Sequence, residues 1–72
     1  MALYRLYTIE FKNDVVNRGD VVGWNIETGE AGVWSGLFGN KAFFLLRSDA
    51  VRFMKTLHSK GIDTDCMTVV SM

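Results

Sequence analysis

One segment of this chain carries a clear helical period, and it constrains the fold more than any other feature. In SDAVRFMKTLHSKGI, residues 48–62, the apolar residues Ala50, Phe53, Met54 and Leu57 recur at helical spacing, with Val51 beside them. Ser48, Arg52, Lys55 and Ser59 fall on the wet face. Ser48 has the side chain of an N-cap. Asp49 sits in the first turn, where the helix dipole favours negative charge. Gly61 suits the left-handed position that ends a helix, and Ile62 suits the hydrophobic contact beyond it. A lone amphipathic helix has no second helix on which to bury its stripe, so it needs a sheet.

The remaining chain supplies strand patterns. Residues 3–12, LYRLYTIEFK, alternate from Tyr7 onward: Tyr7, Ile9 and Phe11 lie on one face, Thr8, Glu10 and Lys12 on the other. Leu3, Tyr4 and Leu6 break the alternation. That break predicts a strand start covered on both faces and a central position in the sheet. Asn13 and Asp14 end it, Val15 and Val16 fit a short strand or a loop edge, and residues 17–20 have turn composition. VVGWNIE (21–27) alternates again. ETGE (27–30) reads as a hairpin turn with Gly29 at positive φ. AGVWSG (31–36) returns as a strand, LFGNK (37–41) as a second turn. AFFLL (42–46) fits a buried strand or a helix lead-in, because short apolar runs do not settle the period. CMTVVSM (66–72) is a last strand, with Met67 and Val69 facing opposite Cys66, Thr68, Val70 and Met72.

These patterns predict one α+β domain over residues 1–72. Its sheet is small and antiparallel-rich, with four to five strands in the order β-β-β-(β)-α-β. The helix of the C-terminal half packs on one face. The final strand is expected to pair in parallel through a right-handed crossover. The other sheet face is left for a second subunit.

Size limits what such a core can do. A chain of 72 residues buries only about 60% of the surface its unfolded form exposes. Small domains usually add a disulfide, a metal or a partner. A single cysteine, Cys66, makes no internal disulfide, and one histidine, His58, makes no Cys/His zinc set. Nine large aromatics in a chain that is 49% hydrophobic exceed the needs of one small core. A homo-oligomer, a dimer first, or an obligate protein partner is therefore expected, with exposed aromatics as the contact. The candidate contacts are Trp34, Leu37, Phe38 and Trp24.

Charge gives a second candidate. The formal net charge is zero, but residues 41–60 hold Lys41, Arg47, Arg52, Lys55 and Lys60 against Asp49, a net of +4 that leaves −4 for the rest. Lys41, Arg47, Arg52 and Lys55 are thus candidate nucleic-acid contacts, with aromatics available for stacking. A neutral chain is a poor general nucleic-acid binder, and three or four cations on a helix usually form its solvated face. No charged segment leads into an apolar stretch at the start and no apolar run approaches a membrane span, so a cytoplasmic location without membrane contact is expected.

The motifs with chemical associations are weak. The stretch GVWSGLFGNK (32–41) has glycines and a lysine, but Asn40 separates Gly39 from Lys41 and Ala42 follows, which breaks a phosphate-loop pattern. GLFG (36–39) matches the glycines of an RNA-clamping G-x-x-G loop, with apolar Leu37 and Phe38 between them. A glycine-jointed hairpin is the better reading. Residues 18–20, RGD, are ordinary turn composition. His58, Asp63 and Asp65 lie close in sequence, with Ser59 and Cys66 nearby, but nothing in the spacing fixes an acid/base geometry. Asp63 and Asp65 lack the rest of a calcium loop. Glu27 and Glu30 read as solvated hairpin ends, and Cys66 as a small buried hydrophobe. The sequence therefore predicts a non-enzymatic interaction protein without cofactor or metal, self-associating or acting as an adaptor or inhibitor. A small nucleic-acid binder is the alternative.

Overall fold

The computed structural model describes residues 5–12 and 19–72. Among these residues the elements in chain order are β1 (Tyr7–Phe11), β2 (Asp20–Asn25), β3 (Ala31–Ser35), β4 (Gly39–Lys41), β5 (Phe43–Phe44), α1 (Arg47–Ser59) and β6 (Met67–Ser71). Val15, Val16, Leu3 and Tyr4, and most of the expected turn at 17–20, lie outside the described residues.

The strands form two antiparallel sheets of three, ordered β5-β1-β6 and β3-β2-β4, and not the single sheet of four to five strands that the pattern predicts. Residues 39–44 explain the division. Their first part, β4, pairs with β2; their second part, β5, pairs with β1. Ala42 lies between the two. Its N–H donates to the Val22 carbonyl (3.1 Å), and its own carbonyl accepts the Thr8 hydroxyl (2.6 Å). Ala42 and Thr8 are both fully buried. This seam lets one extended run change sheets without leaving a buried polar group unpaired.

β1 is the central strand of its sheet, as the sequence predicts. The last strand departs from expectation. β6 pairs antiparallel with β1, in the register Ile9↔Val69, and not in parallel. β5 also pairs antiparallel with β1, on the other side. β5 and β6 therefore run in the same direction with β1 between them, joined through α1. The N-terminal strand fills the slot that a direct parallel pair would need.

α1 lies on the face that carries Tyr7, Ile9 and Phe11. Its buried residues Ala50, Phe53 and Leu57 meet Ile9, Val22, Ala42 and Met67 in one cluster. The Phe53 ring packs edge-on to Trp24 of β2 (4.9 Å between centroids) and against Phe44 of β5 (5.4 Å). One aromatic thus ties the helix to both sheets. Burial of such a side chain contributes about 1.5–3 kcal/mol.

The helix ends as predicted. Gly61 has φ +87, its N–H donates to the His58 carbonyl, and the Ile62 N–H donates to the Leu57 carbonyl. This pair of bonds satisfies carbonyls the helix leaves open. The helix start differs. Arg47 is already helical, and the N-cap position is Leu46, with extended backbone and no side-chain cap. Ser48 therefore sits inside the first turn. The β2–β3 hairpin closes with Gly29 at φ +72, as expected, and the Asn25 side chain accepts the Glu27 and Thr28 N–H groups.

Candidate functional site

The sheet face opposite α1 is built by strand alternation. Thr8 pairs with Phe43 and with Val70, so these side chains share that outer face, on which Thr8 is fully buried, Val70 half-buried and Phe43 exposed. Carried one step further, the register sets Leu6 beside Met72, whose N–H donates to the Leu6 carbonyl (2.8 Å), and brings Leu45 to the same end. Leu6, Phe43, Leu45 and Met72 are all exposed, Leu45 at 64% and Met72 at 66%. Glu10 bounds the patch. Its carboxylate meets the Lys41 ammonium at 2.8 Å across the two sheets. The AFFLL run is thus not a buried strand throughout: Ala42 is buried and Phe44 packs on the core, while Phe43, Leu45 and Leu46 are open to solvent.

The four aromatic and leucine residues expected to meet a partner do not form one site. Trp34 is half-buried. Its Nε1–H donates to the Glu30 carbonyl (3.1 Å), and its ring lies over Gly32, where an added Cβ would come within 3.1 Å of the ring. It packs on its own chain. Trp24 lies on the opposite side of the β3-β2-β4 sheet and is engaged by Phe53 along one edge. Leu37 and Phe38 occupy the β3–β4 turn and are exposed, Leu37 at 80%. Ile26 joins them, its N–H bonded to the Phe38 carbonyl (2.9 Å). Among the described residues, exposed apolar side chains gather on the outer face of β5-β1-β6 and at the tip formed by Ile26, Leu37 and Phe38.

The predicted basic set also divides. Arg47, Arg52 and Lys55 border one shallow depression on α1. Lys41 stands apart on β4, held by Glu10. Arg52 faces Asp49 at 3.7 Å, a loose exposed pair. Lys60 is drawn away to β3, where it donates to the Ala31 carbonyl (2.8 Å) and meets the Glu30 carboxylate (3.2 Å).

A groove of about 560 Å³ runs between α1 and β6. Val51, Met54, Met67 and Val69 form its apolar floor, while Lys12, Arg47, Lys55 and His58 stand around it with Asp65. His58 is exposed, and Asp63 uses its Oδ1 to accept the Asp65 N–H (2.9 Å). The structure therefore gives His58 no hydrogen-bonded carboxylate among the described residues. No cluster of three or more His, Cys, Asp or Glu is placed to hold a metal ion among those residues. Cys66 is half-buried, its Sγ–H pointing to the Asp63 carbonyl (3.5 Å).

The sequence pattern points to an uncovered sheet face but not to Leu6, Phe43, Leu45 and Met72 as its exposed apolar residues. The signal was present: Leu6 is an apolar residue in the outward phase of β1. No protein-family model matches this chain, and neither does any curated protein or solved structure. Among the described residues, no helix is long and apolar enough to cross a membrane.

Proposed function

We propose that the chain is a small, non-enzymatic interaction protein that pairs with a second copy of itself through the outer face of the β5-β1-β6 sheet. The observation that carries this reading is the exposure of Leu6, Phe43 and Met72 along the outer face of this sheet, with Leu45, directly after β5, exposed next to Phe43 in the chain. Among the described residues the patch contains no charge of its own, and Glu10 at its border is already neutralised by Lys41. Two such faces can stack without desolvating an unpaired ion, whereas burial of a lone charge opposes association strongly. A chain with zero formal charge also meets its copy without net repulsion. The Ile26–Leu37–Phe38 tip remains outside this contact, and is where a dimer would act as an adaptor or inhibitor of another protein.

Size-exclusion chromatography with light scattering tests the reading. The native chain is expected at twice its 8.1 kDa mass. Leu45→Glu is expected to return it to a monomer with an unchanged circular dichroism spectrum. A native chain that stays monomeric at every concentration overturns the proposal. The second reading, nucleic-acid binding, draws support from Arg47, Arg52 and Lys55 on one helix surface. It is the weaker one, because Lys41 is separated from them and spent on Glu10.

A further inference from the structure

The groove between α1 and β6 is bordered by a strand edge. Among the described residues, β6 pairs with β1 alone. The Lys12 N–H donates to the Cys66 carbonyl (2.7 Å), and the Met72 N–H donates to the Leu6 carbonyl (2.8 Å). In an antiparallel ladder, bonded residues alternate with residues whose backbone groups point away. Cys66, Thr68, Val70 and Met72 are thus turned to β1. Met67, Val69 and Ser71 aim their N–H and C=O groups at the open edge. The Met67 N–H is taken by the Thr64 carbonyl (3.1 Å), as that direction requires. The backbone groups of Val69 and Ser71 have no protein partner among the described residues.

We infer that this edge binds an extended acidic peptide segment of another protein, added to β6 as a fourth strand of the sheet. A strand added beside β6 would lie about 4.8 Å from it and turn every second side chain toward α1. Val51, Met54, Met67 and Val69 offer those side chains an apolar floor. Lys12, Arg47 and Lys55 outnumber Asp65 around it, and none of the three cations is in an ion pair among the described residues. Acidic side chains on the incoming strand complete the charge match. A second copy's β6 is disfavoured, because it would bring the same cations to the same groove. A sugar-phosphate chain satisfies the cations but leaves the strand edge and the apolar floor without partners. The groove lies on the helix side of the sheet, so the inference stands whether or not the outer face dimerises.

Fluorescence anisotropy on the full chain at low salt tests it, with a labelled synthetic peptide alternating Glu and Val as the probe. Saturable, salt-sensitive binding is expected, and a Lys–Val peptide is expected not to bind. Ser71→Pro removes one outward N–H and leaves the β1–β6 bonds intact; it is expected to weaken binding roughly fivefold. The double variant Arg47→Glu, Lys55→Glu is expected to weaken it about tenfold or more. Arg52→Glu, whose side chain is outside the groove, is expected to stay within about twofold. Leu45→Glu, which addresses only the outer face, is expected to bind the peptide as the native chain does. No binding of the Glu–Val peptide, equal binding of the Lys–Val peptide, tighter binding of labelled oligo-dT, or affinity unchanged in both groove variants would each overturn the inference.

Discussion

The two sheets are held together by opposite means. The β5-β1-β6 sheet depends on large side chains: Ile9 and Met67 lie under the helix residues Ala50, Phe53 and Leu57. The β3-β2-β4 sheet depends in part on missing side chains. At Gly23 a Cβ would fall 1.8 Å from the Asn40 carbonyl oxygen, and at Gly39 it would fall 2.6 Å from the Trp34 Cβ. The first sheet is covered by a helix and has an apolar face to spare. The second closes on itself around Trp34. Gly23, Gly32 and Gly39 are packing positions, where a side chain would meet backbone or the Trp34 side chain.

The comparison can be broken from either side. Leu57→Ala removes a fully buried side chain from the helix–sheet contact and should cost about 2–5 kcal/mol in denaturant unfolding. Its hydrogen exchange should loosen β1 and β6 ahead of the β2–β3 hairpin. Gly23→Ala should cost about 3 kcal/mol, the upper range for overpacking, because the atoms in its way are backbone. Its loosening should begin at the β2–β4 pairing. Identical exchange patterns in the two variants would show that the sheets open as one unit. At the seam, Thr8→Val keeps the shape and deletes the hydroxyl donor to Ala42. It should cost about 1–2 kcal/mol, with both sheets affected alike. A neutral result there would remove the seam from the account.

How much of this was legible in the sequence depends on whether the signal was local. The helix end was legible because Gly61 and Ile62 act through bonds to residues within the same turn. Gly29 was legible for the same reason. The helix start was not, since Arg47 turns helical straight out of the extended Leu46 and leaves Ser48 without a capping role. The division into two sheets was hidden because Ala42 looks like one apolar residue in a run. Its role comes from Val22 and Thr8, distant in the chain. The packing of Trp34 was not legible because its neighbours, Gly32 and the Glu30 carbonyl, are set by the hairpin. Leu6 was visible as a break in alternation. At Leu6 the break marks an exposed side chain and not cover on both faces; Leu3 and Tyr4 lie outside the described residues.

Isotope-filtered nuclear Overhauser spectroscopy on a mixture of labelled and unlabelled chains tests the central claim most directly. Contacts between copies are predicted at Leu6, Phe43, Leu45 and Met72, with none at Trp34. Contacts confined to Ile26, Leu37 and Phe38, or no contacts between copies at all, would contradict the account.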